Sequence, residues 1–395
     1  MNTLSIGIPR EIMDHEARVA ATPETVARMT GTGAQVRIEA GAGEGSFIAD
    51  AAYREAGALI VPDAETVYAE SEVILKVKEP RMNARTGTHE IDRLRAGQTL
   101  ICFLHPASPR NHAMIRRLAQ RGVTALTLDG VPRMAKTQAM DALSSMSMVA
   151  GYKGVLMAAD ALAKFVPLAG SAVGVVPPAS ALVVGAGVAG LQALATAKRL
   201  GATVAAAEIR PEGREQAGSL GVALVDTGVP EELAIGPGGY AKALSEEWLE
   251  RERAALRPAI TTADIVILTA LVPGRVAPIL VTRDMLAAMN PGSVVVDISI
   301  DQGGNCEATE PGQTIQCDGV TVIGLQNIPG HLPVTATWLF ARNILNYLTH
   351  LVRNDRIDID RSDEVVASSL VTWEGEVVHT GTLEAMSAPA AGDPA

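Results

Sequence analysis

The chain is expected to be an α/β protein with two doubly wound parallel-sheet domains separated by a cleft. Three observations point there. Short apolar runs alternate with helical patterns along most of the length. Hydrophobic residues make up 48% of the sequence but aromatics only 3%, so the core is Ala, Val, Leu and Ile, as sheets covered on both faces by helices require. The chain has 395 residues, long enough to divide into two cores.

In the first 130 residues the apolar runs are Leu4–Ile8, Gln35–Glu39, Val73–Val77, Thr99–Leu104 and Thr124–Leu128. Helical patterns fall between them at Pro23–Met29, Ala51–Ala56 and Pro109–Arg121. This stretch has no glycine fingerprint. Residues 133–166 read as one or two helices. After Pro177-Pro178 a second set of strands is expected near 181–185, 203–208, 222–225, 265–269, 294–298 and 321–324. Residues 332–352 have helical periodicity and carry the chain back to the first domain. Residues 356–380 read as two short strands around Trp373-Glu374-Gly375, an exposed hairpin, and the tail SAPAAGDPA as disordered. The expected division is a discontinuous substrate-side domain, 1–142 with 328–395, and a nucleotide domain, 143–327.

Ala181–Glu208 is the most informative stretch. It reads as strand, Gly185-x-Gly187-x-x-Gly190 turn, helix, strand and acid. Gly185 allows the tight turn, Gly187 lets the backbone approach a pyrophosphate, and Gly190 lets helix and strand pack closely. The helix start offers free N–H groups and a positive dipole end. Glu208 follows Gly190 at the distance where an acid accepts the adenosine ribose hydroxyls. This is the fingerprint of a Rossmann-like dinucleotide domain. An acid at that point repels a 2′-phosphate, so NAD is expected over NADP, with the adjacent Arg210 pulling the other way.

The net charge of −11 argues against nucleic acid as a partner. Cys102, Cys306 and Cys317 lack metal-ligand or disulfide-framework spacing, which suggests reduced thiols, a cytoplasmic protein and no bound metal. The N-terminus has no long apolar run and is not read as a signal peptide. Phe165–Ala197 contains no charged residue, but Pro167, Pro177, Pro178 and the glycines among them are not those of a membrane helix, and no membrane insertion is expected.

Four residues stand out by position. Arg18 lies in EARVAATPE, before a helix opened by Thr22-Pro23. Lys78 ends VILKVKEP, His105 ends LICFLHP, and Asp301 follows SVVVDISI. Three of the four sit at strand C-termini, where the cleft of an open parallel sheet binds its ligand. Arg and Lys can clamp a carboxylate. A His can exchange a proton with a carbonyl oxygen near neutral pH, and an Asp can manage the proton of an attacking water. The set suits hydride transfer between a nicotinamide and a 2-oxo or 2-amino acid. Charged residues at strand ends are also ordinary solubility features, and Lys76 alternates with Lys78, so chain position does not choose between the two lysines.

Long motifs carry a family resemblance. GIPREI…RVAATPE, GAGEGSFI, LKVKEP, GAGVAGLQALATAKRLGA, TALVPGRVAPIL and PGSVVVDISIDQGGNCE resemble the alanine dehydrogenase / proton-translocating transhydrogenase alpha-subunit superfamily over nearly the full length. The transhydrogenase branch is similar in PRMAKTQAMDALSS, in GGYAK (238–242), at Asn327-Ile328-Pro329 and in the C-terminal hairpin. That likeness implies that Arg133, Gln138 and Asp141 contact the nicotinamide and a separately encoded NADP-binding partner. Lys136 and Met146 depart from that branch, which has Arg and Gln there. The alanine dehydrogenase branch implies substrate-carboxylate roles for Arg18 and Lys78 and catalytic roles for His105 and Asp301. The implied cofactor set also takes in Val188 and Ala189, Ile209 and Arg210, Ser144, Ala270, Leu271 and Asn327. The leading expectation is an NAD-dependent amino-acid dehydrogenase, with an amino or 2-oxo acid as substrate, in a homodimer. The alternative is the NAD(H)-binding alpha subunit of a transhydrogenase, and a third class is a non-catalytic nucleotide sensor.

Overall fold

The computed structural model describes residues 3–236, 241–272 and 276–387. The chain forms two compact units, Met1–Met146 with Gly330–Ala395, and Ser147–Pro329. The first division falls inside the helix Ala142–Ala161.

The first unit holds an eight-stranded sheet in the order Glu376–Val377, Leu370–Trp373, Thr124–Thr127, Thr99–Cys102, Val73–Leu75, Ser5–Ile8, Gln35–Glu39, Leu59–Val61. The six strands from Thr124–Thr127 to Leu59–Val61 are parallel. In chain order they run 3-2-1-4-5-6, with the reversal between Ser5–Ile8 and Val73–Leu75. The central strands are buried on both faces (Val73, Ile74, Leu75, Leu100 and Ile101 are fully buried), which is why they read as continuous apolar runs. Helix Pro23–Gly31 starts where Thr22 and Thr25 exchange capping bonds ahead of Pro23.

The second unit has the same order. Its strands lie Ala223–Val225, Thr203–Ala207, Ser180–Val184, Ile265–Leu268, Val294–Asp297, Val320–Ile323, with Thr314–Cys317 antiparallel on the edge. The register Val184↔Ala207 and Val184↔Leu268 brings three strand ends together at the turn Gly185–Gly190. A doubly wound sheet of this order binds ligands beyond the strand C-termini, where the order reverses. The uncharged stretch after Phe165 forms an isolated hairpin, Ala169–Ser171 with Gly174–Val176, then a strand and a helix. No helix among the described residues is long and apolar enough to cross a membrane.

Several local expectations need correction. The C-terminal hairpin is not exposed. Leu370, Val371 and Thr372 are buried, and Leu370–Trp373 joins the first sheet antiparallel to Thr124–Thr127. A helix at Glu364–Ser369, capped by Asp363, precedes it. The pattern Pro109–Arg121 splits into a 3-10 turn Pro109–Asn111 and a helix His112–Gln120. The strands Leu59–Val61 and Thr314–Cys317 were not expected. The first is three residues long and the second alternates on an edge, so neither makes a long apolar run. The tail from Ala388, most of GGYAK and a short segment of TALVPGRVAPIL lie outside the described residues.

Candidate functional site

In the first unit, successive parallel strands deliver polar groups to the same edge of the sheet. Lys78 follows Val73–Leu75, His105 follows Thr99–Cys102, and Asp129 follows Thr124–Thr127. The three strands are neighbours. Arg18 comes from the loop after Ser5–Ile8, the strand on the other side of the reversal.

His105 Nδ1 lies 2.8 Å from Asp129 Oδ1. The other carboxylate oxygen, Oδ2, accepts the His105 N–H at 2.7 Å, the Leu104 N–H at 3.1 Å and the Thr127 hydroxyl at 2.5 Å. Burial would raise Asp129, but His105 and these donors bring it down to about 2. Burial would lower His105, and the Asp129 charge overcomes it and raises the imidazole above 6.5. Nothing in the chain's local pattern marks Asp129, which sits in an ordinary Asp-Gly turn. His105 has φ 44°, a left-handed backbone unusual for a side-chain-bearing residue. Its ring stacks on Phe103 (5.8 Å, 3°), and Phe103 packs on Phe340 of helix Pro333–Leu351.

The two lysines separate clearly. Lys76 is fully buried, 2.7 Å from Glu90 Oε1 and 3.3 Å from Glu11 Oε2. Glu11 also accepts the Val77 N–H and Glu90 the Arg81 N–H. The ammonium of Lys78 makes no hydrogen bond or ion pair among the described residues, and its charge acts on Glu16, Glu79 and His105. Arg18 is buried and held by Glu16 in a two-pronged pair, Nε to Oε1 at 2.7 Å and Nη2 to Oε2 at 2.5 Å. Burial would raise Glu16, but Arg18 brings it down to about 2. Arg18 Nη1 also lies 3.0 Å from Met146 Sδ, so one of the two departures from the transhydrogenase pattern is in contact with Arg18.

Arg133, Gln138, Asp141 and Ser144 line a cavity of about 350 Å³ together with Met134, Ala135 and Ser145. Asp141 accepts the Ser144 N–H at 2.8 Å and its hydroxyl at 2.5 Å, with Arg133 Nε 3.8 Å away. All four residues belong to the first unit.

In the second unit the glycine turn fits a dinucleotide. A Cβ on Gly190 would meet Gly185 O at 1.8 Å, whereas one on Gly187 would find only Arg210 Nη2, at 4.0 Å. The first position is closed by packing and the second is open for a ligand. Gly187 caps helix Val188–Arg199 with no side chain, so the N–H groups of Val188 and Ala189 face outward for phosphate. Glu208 is buried and accepts the Ala186 N–H at 2.8 Å, the Arg210 N–H at 2.9 Å and the Arg210 guanidinium at 2.9 and 3.1 Å. Ile209 and Arg210 continue from it.

The remaining residues gather at the other strand ends of this unit. Ala270 and Leu271 follow Ile265–Leu268. Asn305 secures that loop, accepting the Ala270 N–H at 3.0 Å and donating to Ala270 O at 2.9 Å. Asp301 is exposed in the turn after Val294–Asp297 and accepts the Asn327 N–H at 3.3 Å.

Comparison with known proteins agrees with this geometry. The family model "Alanine dehydrogenase/PNT, N-terminal domain" matches residues 7–150 and "Alanine dehydrogenase/PNT, C-terminal domain" matches 154–380. The chain is 40% identical over 381 residues to an NAD(P) transhydrogenase alpha subunit of Rhodospirillum rubrum, covering 95% of this chain and 98% of that protein. It is 34% identical over 393 residues to alanine dehydrogenase of Mycobacterium tuberculosis, covering 98% of each. The solved structure of transhydrogenase from Sinorhizobium meliloti superposes with a TM-score of 0.80 at 37% identity, covering 95% of this chain and 99% of that one. Two Rossmann-like units, the glycine turn and these matches together establish that the chain belongs to the alanine dehydrogenase/PNT family of nicotinamide-dependent oxidoreductases.

Proposed function

We propose that the protein is an NAD-dependent amino-acid dehydrogenase, which interconverts a small 2-amino acid and its 2-oxo acid. The observation that carries this reading is the convergence of Lys78 and the His105–Asp129 pair on adjacent strand ends. A site whose hydride acceptor is a second nucleotide has no evident use for these groups.

Arg18 and Lys78 hold the substrate carboxylate so that the Cα hydrogen faces the cofactor. The bound nicotinamide takes or returns the hydride. His105 exchanges a proton with the nitrogen or oxygen on Cα, with Asp129 fixing its ring and stabilising its charged form. Asp301 passes protons to and from the water that hydrolyses the imine. In balance, amino acid, NAD+ and water give 2-oxo acid, NADH, ammonium and one proton. Gly185, Gly187, Val188, Ala189 and Gly190 hold the pyrophosphate, and Glu208, Ile209 and Arg210 the adenosine ribose, with NAD preferred over NADP. Ala270, Leu271 and Asn327 complete the nucleotide site, and Arg133, Gln138, Asp141 and Ser144 attend the nicotinamide end. In this reading the discontinuous unit serves the substrate and the unit Ser147–Pro329 the cofactor, in the cytoplasm.

A homodimer is part of the proposal. The isolated hairpin leaves Val173 98%, Val175 69% and Leu168 63% exposed, and a two-stranded hairpin is not stable without cover. A second copy supplies matching apolar faces in a closed symmetric pair.

The experiment is NADH formation by the purified chain with a panel of L-amino acids. A second reading is the NAD(H)-binding alpha subunit of a transhydrogenase, favoured by the 40% identity to the Rhodospirillum rubrum subunit. It expects no turnover of amino or 2-oxo acids, hydride exchange once an NADP-bound partner is added, and loss of that exchange on changing Gln138 or Asp141.

A further inference from the structure

Glu208 has no spare capacity. Both its oxygens already accept, one from the Ala186 N–H and Arg210 Nη2, the other from Arg210 N and Nε. It cannot swing aside, because its Cγ already lies where a Cβ on Gly213 would come within 2.7 Å. Arg210 also cancels much of the charge that should turn away a 2′-phosphate.

A second acid reaches the same region. Helix Glu246–Thr262 leads into strand Ile265–Leu268, so its first half lies at the C-terminal edge of the sheet, where Thr203–Ala207 delivers Glu208. Its buried stripe is Glu252, Leu256 and Ile260. Leu256 and Ile260 pack in one core cluster with Ala207, the residue before Glu208. Glu252 is 5% exposed, yet no hydrogen bond or ion pair engages its carboxyl among the described residues. The adjacent Arg253 spends its guanidinium on Glu246 and on the Ile279 carbonyl. The charges facing Glu252 are those of Glu208 and Arg253, and burial with Glu208 pushes it up to about 7. Next to it in the sheet order, beyond Ala223–Val225, the buried Thr227 hydroxyl also lacks a partner. Buried polar groups are almost always bonded, so an acid on an apolar stripe beside a saturated one needs a ligand to explain it.

We propose that Glu252 is the second acid of the adenosine-ribose pocket, accepting a ribose hydroxyl and rejecting a 2′-phosphate. The proposal rests on the dinucleotide reading of the glycine turn. Because Glu252 ionises as pH rises past neutrality, the preference for the unphosphorylated ribose strengthens in that direction.

The test is titration of NADH and NADPH into the full chain, wild type and Glu252→Gln, at pH 6.5 and 8.5. At pH 8.5 the ratio of the NADPH to the NADH dissociation constant should fall about tenfold in Glu252→Gln, the scale of a lost like-charge repulsion. At pH 6.5 the two proteins should give closely similar ratios. Glu252→Met, which extends the Leu256–Ile260 stripe, should lose the discrimination too, and it guards against a folding defect in the first variant. NADH binding with a ratio that neither variant moves overturns the proposal and leaves the cofactor reading intact. Failure of the wild type to bind NADH overturns both.

Discussion

His105 and Asp129 form an ion pair at 2.8 Å, while the same carboxylate binds the backbone N–H of His105. One acid thus fixes both the ring and the main chain of the residue it serves. Asp129→Asn keeps the shape and removes the charge. In amino-acid oxidation His105 must act as a base, so activity rises with pH through its raised value. The Asn variant should shift that rise to lower pH in a kcat/KM profile, with a slower plateau. His105→Ala should cost about 10²–10⁴-fold in turnover with NADH affinity nearly unchanged. A pH profile that Asp129→Asn leaves in place would mean the pair is structural.

The same pair makes stability depend on pH. Asp129 is held below its ordinary 3.8, near 2, so its contribution is present above 3.8 and lost as pH falls towards 2. His105 is raised above 6.5, so its contribution is full below 6.5 and lost as pH climbs through the raised value. Melting curves from pH 3 to 9 should show Asp129→Asn with a flatter profile than wild type, the gap being widest in the window between those limits.

Lys76 and Lys78 should diverge under mutation. Lys76→Met strands Glu11 and Glu90 in the core and should destabilise by about 3–5 kcal/mol. Glu11 already sits at about 7, so the loss should be smaller at pH 6 than at pH 8.5. Lys78→Ala should leave the melting temperature close to wild type and raise KM for the substrate. Equal effects on stability would remove the reason for choosing Lys78.

The glycines offer a matched pair. Gly190→Ala meets Gly185 O at 1.8 Å and should unfold or displace the turn, which circular dichroism and melting would register. Gly187→Ala has room in the free protein, so it should fold normally and weaken NADH binding, read by fluorescence titration.

The hairpin prediction is read by mass. Val173→Asp with Val175→Asp should turn a dimer into a monomer by light scattering, without loss of the glycine turn's affinity for NADH. A wild type that is monomeric at micromolar concentration defeats the proposal of a pair.

Much of this architecture was legible because buried parallel strands spell themselves as apolar runs. Val73–Leu75 and Val294–Asp297 need no context to be read, and Gly185–Gly190 states its own turn. What escaped depended on partners distant in sequence. Leu370–Trp373 became a buried strand only by pairing with Thr124–Thr127. Asp129 looked like a turn residue until the adjacent strand brought His105 beside it. Glu252 looked like any charge on a helix until Leu256 and Ile260 fixed which face was buried. Lys76 and Lys78 shared a strand face, and only Glu11 and Glu90 distinguished them.

The Arg18–Glu16 clasp changes what recognition of a substrate means here. A guanidinium already satisfied by an internal carboxylate does not recruit anions; it trades one for another. A chloride or bicarbonate offers less than Glu16 and is refused. An incoming acid succeeds only if the contacts it makes elsewhere, with Lys78 and His105, exceed what the displaced Glu16 gives up. Selectivity then comes from an exchange between two carboxylates competing for one arginine, and the resting enzyme guards its own strongest charge.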